Sequence, residues 1–475
     1  MSYQGNIPAS NFESPKKDRF TGISGTTCSL TYAVSSVADI IVWVNGVKQD
    51  FTNYSVSGST LTLGGTLVSA DIVEVTYVGR TYGSTAPTDA SVGTSALQDD
   101  AVTTAKINDG AVTSGKIASG VVPSLRPNAK PLIINGNMAV AQRGTSTASI
   151  TGGGFYTADR FGTNNSGAFI GTWTQTQESL SSGDAFNDGF AKSLKMDNTT
   201  ANGSPAANSQ CRIDYNFEGQ DLQLLKHGTA SAEKTTLSFW IKATKTGTNI
   251  VKMYKPDADR SCSIAYTVST TNTWEKKVLN FPADTTGTVI ANDNTTGIQM
   301  SFGIAMGSSY TSGTLATTWA ADSSANAFVG QVNNADSTSN NWEITGVQLE
   351  VGEYSASTLP SFQHEEYGDN FARCQRYFQK VQAAMVVANH TGGTLALGAT
   401  NINPMRASPT ASTSGTIQIN DNGIANFDQS SSDVALNGGS SEAIEFNIGN
   451  FSGMTNRRVM RMRTDHGWIT LASEL

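Results

Sequence analysis

Asp89-Ala-Ser-Val-Gly-Thr-Ser-Ala-Leu-Gln98, Asp99-Asp-Ala-Val-Thr-Thr-Ala-Lys-Ile-Asn108 and Asp109-Gly-Ala-Val-Thr-Ser-Gly-Lys-Ile-Ala118 follow one another without a break. They are tandem ten-residue repeats. Within and just beyond them a large aliphatic recurs at every fifth position: Val92, Leu97, Val102, Ile107, Val112, Ile117 and Val122. Five residues turn an α-helix by about 500°, roughly 140° off its starting face, so no apolar stripe forms. A heptad coiled coil fails for the same reason. Aliphatics this sparse, separated by Gly, Ala and Thr, cannot enclose a core within one chain. Identical chains wound about a common axis can, each layer adding its aliphatics to a thin central seam. Three chains are favoured over two. The competing reading, a flexible linker, does not account for the strict spacing.

Outward from this segment the sequence reads as β structure. Upstream, Ile40-Ile-Val-Trp-Val44 is followed at once by Asn45-Gly46 and then Val47-Lys48-Gln49. Asn-Gly between strand-like runs is a hairpin signal, because a type I′ turn needs positive φ twice. Further strands are expected at Tyr54–Val56, Leu61–Leu63 and Ile72–Val78, in a sandwich or small barrel.

Downstream of Pro123, Pro127 and Pro131 come expected strands at Cys211–Phe217, Leu237–Ala243, Val251–Tyr254, Ile264–Val268, Trp274–Leu279, Ile298–Ile304 and Trp342–Val351. Their connections are rich in Asn, Asp, Gly, Ser and Thr, as in a β-sandwich of jelly-roll character. One helix is expected from an N-cap at Gly368-Asp369 through Gln382, with Phe371, Cys374, Phe378 and Val381 at helical spacing. Strands return at Thr416–Ile419, Ala443–Ile448, Val459–Arg463 and Trp468–Leu471. The chain is thus expected to be mostly β and elongated. Its parts are a small N-terminal β domain (1–85), a trimerising repeat shaft (86–130), a sandwich (131–365), and a linking helix with a C-terminal β tip domain (366–475).

Composition removes several function classes. A net charge of −8, with no Lys/Arg stripe interleaved with aromatics, argues against nucleic acid as a partner. The cysteines Cys28, Cys211, Cys262 and Cys374 are far apart and form no metal-binding pair, so they read as buried small hydrophobes from a reducing compartment. No basic, apolar leader opens the sequence and no apolar run approaches a membrane span, so synthesis in a cytoplasm without membrane insertion is expected. Gly110-Ala-Val-Thr-Ser-Gly115-Lys116 resembles a phosphate loop, but Ile117 stands where the Mg²⁺-binding hydroxyl belongs.

No GxSxG elbow or HExxH pair occurs, and His227, His364, His390 and His466 are scattered. Glu343, Glu350, Glu353, Glu365 and Glu366 cluster in sequence but fit strand alternation and solvated loops. No catalytic residue, cofactor or metal site is therefore assigned. Asp257, Asp259, Asp293 and Asn294 are the residues that could offer hard oxygens to Ca²⁺.

Several strings resemble a known family. Pro131-Leu-Ile-Ile-Asn-Gly-Asn-Met138, Gln142-Arg143-Gly144 and Tyr156-Thr-Ala-Asp-Arg-Phe161 are similar to the opening of a domain common in bacteriophage tail fibres. Trp342-Glu-Ile-Thr-Gly-Val-Gln-Leu-Glu-Val-Gly352, Phe362-Gln-His-Glu-Glu-Tyr-Gly-Asp369 and Ala372-Arg-Cys-Gln-Arg-Tyr-Phe378 are similar to its close. Trp43-Val-Asn-Gly-Val-Lys48 and the repeats resemble the head and shaft of fibres from phages of marine bacteria and cyanobacteria.

The resemblance implies a homotrimeric fibre in the virion tail. Its N-terminal domain would hold a tail, adaptor or baseplate protein, and its sandwich would be similar to carbohydrate-binding modules. Its C-terminal half would bind bacterial surface polysaccharide or another receptor. Sugars stack C–H faces on aromatic rings and bond Asn, Asp, Gln and Arg. Candidate contacts are therefore Trp173, Tyr310, Trp319, Arg457, Arg461 and Trp468, while Trp240, Trp274 and Trp342 read as core. A non-enzymatic receptor-binding fibre is the leading expectation. A polysaccharide-degrading spike, a structural tail connector and a bacterial adhesin are the alternatives.

Overall fold

The computed structural model describes residues 15–78, 130–168, 170–382, 386–388, 394–421, 425–428, 434–455, 458–463 and 466–475. The seam positions Val92, Leu97, Val102, Ile107, Val112, Ile117 and Val122 lie outside these, as do the phosphate-loop lookalike and Arg457. The described chain is mostly β and its strand pairs are antiparallel.

In the N-terminal unit, Lys17–Thr21, Ile72–Tyr77, Ile40–Val44 and Val47–Lys48 make one sheet, and Gly25–Val34 pairs with Tyr54–Leu67. Asn45 and Gly46 both have positive φ, 52° and 80°, as the hairpin reading requires. Alternate residues Val42, Val73 and Val75 are buried with Leu30, Leu61 and Leu63 between the two ribbons.

The second unit contains two six-stranded sheets. The first runs Glu275–Phe281, Thr235–Ala243, Asn341–Val351, Lys192–Thr200, Thr172–Ser179, Ser146–Ile150. The second runs Ala320–Ala321, Arg260–Val268, Gly247–Lys255, Thr296–Met306, Gln210–Glu218, Gly162–Ser166. Most loops carry the chain from one sheet to the other, which gives the sandwich its jelly-roll character. Period-two alternation sets the core: Leu237, Phe239 and Ile241 of one sheet meet Ile213, Tyr215, Met300 and Phe302 of the other. All four cysteines are buried and unbridged.

The expected helix is shorter than its apolar spacing suggests. It spans Tyr367–Gln375 behind Glu366, and Phe378–Val381 is a strand paired with Trp468–Ala472. Pairing with that strand satisfies backbone groups that a longer helix would have satisfied internally, so tertiary context overrides the helical spacing.

Nor does the helix act as a free hinge. Cys374 and Tyr377 pack with Ile134 and Val140. Asn135 closes the turn beneath them: its side-chain amide donates to Val140 O and Asp159 O, both at 2.9 Å. A Cβ on the neighbouring Gly136 would lie 2.1 Å from Val347 O, so only glycine fits there.

Charges complete this junction between the sandwich and the C-terminal strands. Arg160, 2% exposed, donates to Glu474 at 2.9 Å and lies 3.3 Å from the centre of the Tyr377 ring. Arg143 donates to the other Glu474 oxygen at 2.9 Å and stacks 3.7 Å above Phe378. Arg376 and Tyr377 both donate to Glu218, at 2.7 Å and 2.6 Å. Burial opposes charge on Glu218, but these hydrogen bonds outweigh it and hold the carboxyl below its ordinary value. Beyond the junction, Val386, Ile419, Ile444, Phe446, Ile448, Met460 and Met462 form the core of a seven-stranded sheet.

Arg160→Met leaves Glu474, whose side chain is only 10% exposed, without one of its two cations. We expect a loss of about 3 kcal/mol or more, read as the urea midpoint of the full chain. A second expectation concerns pH. Burial pushes the Asp159 carboxyl up to about 6, against hydrogen bonds from Gln142 and the charge of Arg143. The folded value exceeds the ordinary 3.8, so the folded state binds the proton first. This group's contribution therefore falls as pH rises from about 4 through about 6. Asp159→Asn should flatten that part of the stability profile; an unchanged slope would show that another group sets it.

Candidate glycan-binding face

The sandwich buries two of the predicted sugar platforms. Trp173 is 0% exposed, within the hydrophobic core. Its polar neighbours misled the reading: Thr172 and Thr174 flank it on a strand, and Gln175 is itself buried, bonded to Thr157 and Thr163. Trp319 is buried too, its indole N–H donating to Pro282 O at 2.8 Å. Tyr310 is half-buried and packs with Ile250 and Phe328 under a loop. Arg461 and Trp468 are exposed, on separate strands of the C-terminal β structure. The structure does not gather these five residues into one site, and the sixth candidate, Arg457, lies outside the described residues.

The opposite error concerns Trp240. It was expected in the core and is instead half-exposed on the outer face of the first sheet. Leu237, Phe239, Ile241 and Ala243 point inward, so Thr236, Ser238, Trp240 and Lys242 point outward. Trp342 is core as expected. Trp274 is buried, but against this outer face rather than in the sandwich interior, with the Lys242 ammonium 4.9 Å from its ring centre.

Register places the rest of the face. Trp240 lies opposite Lys276 on one neighbouring strand and Thr345 on the other, and Lys242 lies opposite Glu343. The Trp240 indole N–H donates to Asp188 at 2.9 Å, and Lys276 reaches the same carboxylate oxygen at 3.1 Å. Lys276 also sits 5.7 Å from the indole centre. Deeper, Glu343 accepts from Ser193 at 2.6 Å and pairs with Lys242 at 2.6 Å. The result is an indole whose N–H is held by a carboxylate, with the Lys276 ammonium beside its ring and a second ammonium, Lys242, over the nearby Trp274. Such a surface offers an apolar face for sugar C–H groups and both signs of hydrogen-bonding partner for hydroxyls.

His364 packs against Phe190 and Phe362. The Ca²⁺ candidates have other partners: Asp257 accepts from Ala291 N, Asp259 from Tyr254, Asp293 from Thr295, and Asn294 donates to Arg406 O. Among the described residues no cluster of three metal-ligating side chains occurs. No helix among them is long and apolar enough to cross a membrane.

No family model matches the chain, and no curated protein sequence does. Solved structures of similar outline include the enzymatically active domain of tailspike protein 4 of bacteriophage CBA120. It is 12% identical over 46% of this chain and 21% of that one, with a TM-score of 0.24. A sugar-binding protein from Bacteroides thetaiotaomicron is 14% identical over 47% and 100%, with a TM-score of 0.26. TmCBM61, solved with β-1,4-galactotriose, is 8% identical over 47% and 99%, with a TM-score of 0.20. The chain spans about a fifth of the tailspike domain. At identities and TM-scores this low, none of the three bears on what the chain binds.

Glu343→Ala removes a buried acceptor from both Ser193 and Lys242, and should cost about 1–3 kcal/mol in urea unfolding. Asp188→Ala, which breaks an exposed pair, should stay within about 1 kcal/mol. Equal losses would mean that the two layers of the face are not distinct.

Proposed function

We propose that the chain is a subunit of a bacteriophage tail fibre that binds host-surface glycan without cleaving it, and that the Trp240 face is where the glycan lies. The observation that carries the binding reading is the half-exposed indole bonded to Asp188 on a central strand, with the Lys276 ammonium beside it. Solvated aromatics of this kind serve carbohydrate because pyranose C–H bonds pack on the ring while the rim answers the hydroxyls. The fibre reading is supported by the five-residue aliphatic repeat, which calls for sister chains, and by the strings similar to tail fibres. The virion tail is then its location, with the N-terminal unit toward the particle. A single site of about millimolar affinity suffices when three copies act together, because linkage raises effective concentration.

The test is competition for adsorption. Purified full-length chain should block attachment of the phage to its host, and Trp240→Ala should require at least tenfold more protein for the same block. The host polysaccharide should keep its length on incubation. Steady release of oligosaccharide would establish the spike reading instead, and full blocking by Trp240→Ala would move the glycan site off this face.

A further inference from the structure

On the C-terminal β structure a shallow groove of about 490 Å³ opens across three neighbouring strands, Ala396–Asn401, Ala443–Ile448 and Val434–Gly439. Its lining includes Ala399, Asn401, Gly438, Ser440, Ala443 and Glu445. Small-molecule clefts span about 300–1,000 Å³, so the volume suits one sugar ring.

Alternation explains why the groove faces solvent. Ile444, Phe446 and Ile448 are buried in the core, so Ala443, Glu445 and Asn447 point away from it. Ala399 and Asn401 are exposed on the neighbouring strand, where they lie opposite Glu445 and Ala443. On the other side Gly438 lies opposite Glu445, next to a bulge that adds Asn437 to its strand. Two methyl groups and a glycine thus surround one long side chain, and the side-chain volume they lack is the groove.

The polar groups around it are accessible. Glu445 is exposed, and among the described residues nothing donates to its carboxylate. No Lys or Arg lines the groove. Ser440 Oγ accepts from Glu442 N at 3.1 Å and Ala443 N at 3.2 Å, which leaves its own O–H to donate. Two residues beyond Glu445 on the same face, Asn447 Nδ2 donates to Asn437 Oδ1 at 2.6 Å, and Asn437 Nδ2 returns the bond. This reciprocal amide pair holds the bulged strand beside the carboxylate.

We propose that this groove binds a hexosamine unit with a free, protonated amine. The ammonium lies on Glu445, the hydroxyls on Ser440 and Asn401, and the C–H groups over Ala399 and Ala443. The glycan-binding reading supplies only the expectation of a sugar, and the groove shares no residue with the Trp240 face. Charge complementarity selects the amine: a carboxylate in a groove without cations attracts ammonium and repels uronate and phosphate. No aromatic ring lines the groove, so the ion pair rather than stacking sets the preference. Being exposed, that pair is screened by salt.

The experiment is saturation-transfer NMR of the full-length chain at low ionic strength and about pH 6, where amines are protonated. Glucosamine is the reporter, and glucose, N-acetylglucosamine and methylammonium are the competitors. Glucosamine should bind with about millimolar affinity, and each competitor should displace it only at about threefold higher concentration or more. Glu445→Gln should remove the preference for glucosamine over glucose. Ala443→Phe, at an exposed strand position, should fill the groove and abolish transfer while the urea midpoint holds. Trp240→Ala should leave glucosamine transfer intact while weakening the block of adsorption, so the two sites fail separately. Absence of glucosamine transfer overturns the proposal, as does transfer that survives Ala443→Phe or is lost in Trp240→Ala. A preference unchanged in Glu445→Gln, or equal displacement by glucose or methylammonium, overturns it too.

Discussion

The second unit depends on a buried guanidinium. Arg160 is almost wholly removed from water, and such a charge is tolerated only where partners replace its hydration. Its partners come from separate stretches of chain: Glu474 from the C-terminal end, Tyr377 from beyond the helix, and Asn216 O from a sandwich strand at 2.5 Å. If any of these segments moves away, an ion is left unpaired in a low-dielectric region. The sandwich and the C-terminal strands are therefore joined by an all-or-none contact rather than by a tether. Glu218, with Arg376 and Tyr377 as donors, repeats the device beside it.

This places the tail-fibre-like strings in physical terms. Asn135 and Gly136 belong to the first, Gln142 and Arg143 to the second, Asp159 and Arg160 to the third, and Arg376 and Tyr377 to the last. In three dimensions they converge on one junction. Gln142 donates to Phe378 O at 2.8 Å, and Asn135 N donates to the Asn370 side chain at 3.0 Å. These residues of the strings thus serve the assembly of the domain.

Alternation made most strands legible. Apolar residues at every second position, bounded by turn residues, identified the Leu237–Ala243, Ile298–Ile304 and Trp342–Val351 runs within a few residues of their observed ends. The same rule, applied within Thr235–Ala243, would have put Trp240 outside, since Leu237, Phe239 and Ile241 hold the inward parity. Treating a tryptophan inside a strand as core overrode that parity. Trp173 went the other way because Gln175 is a buried polar residue, and period-two reading assumes that polar means outside. Phe378 and Val381 fit both a helical and a strand spacing, and pairing with the distant Trp468–Ala472 strand decides between them.

The electrostatics of the Trp240 face argue for weak, specific contact rather than tight binding. Lys242 is paired with Glu343, and Lys276 with Asp188, with nothing bound. On the proposed reading, a sugar stacked on the indole would gain ring contact and a few rim hydrogen bonds without having to break these ion pairs. That gain is small, but little ordering is required because sheet register already fixes the side chains. Low affinity with low reorganisation suits a surface that works in several copies, where residence comes from simultaneous contacts.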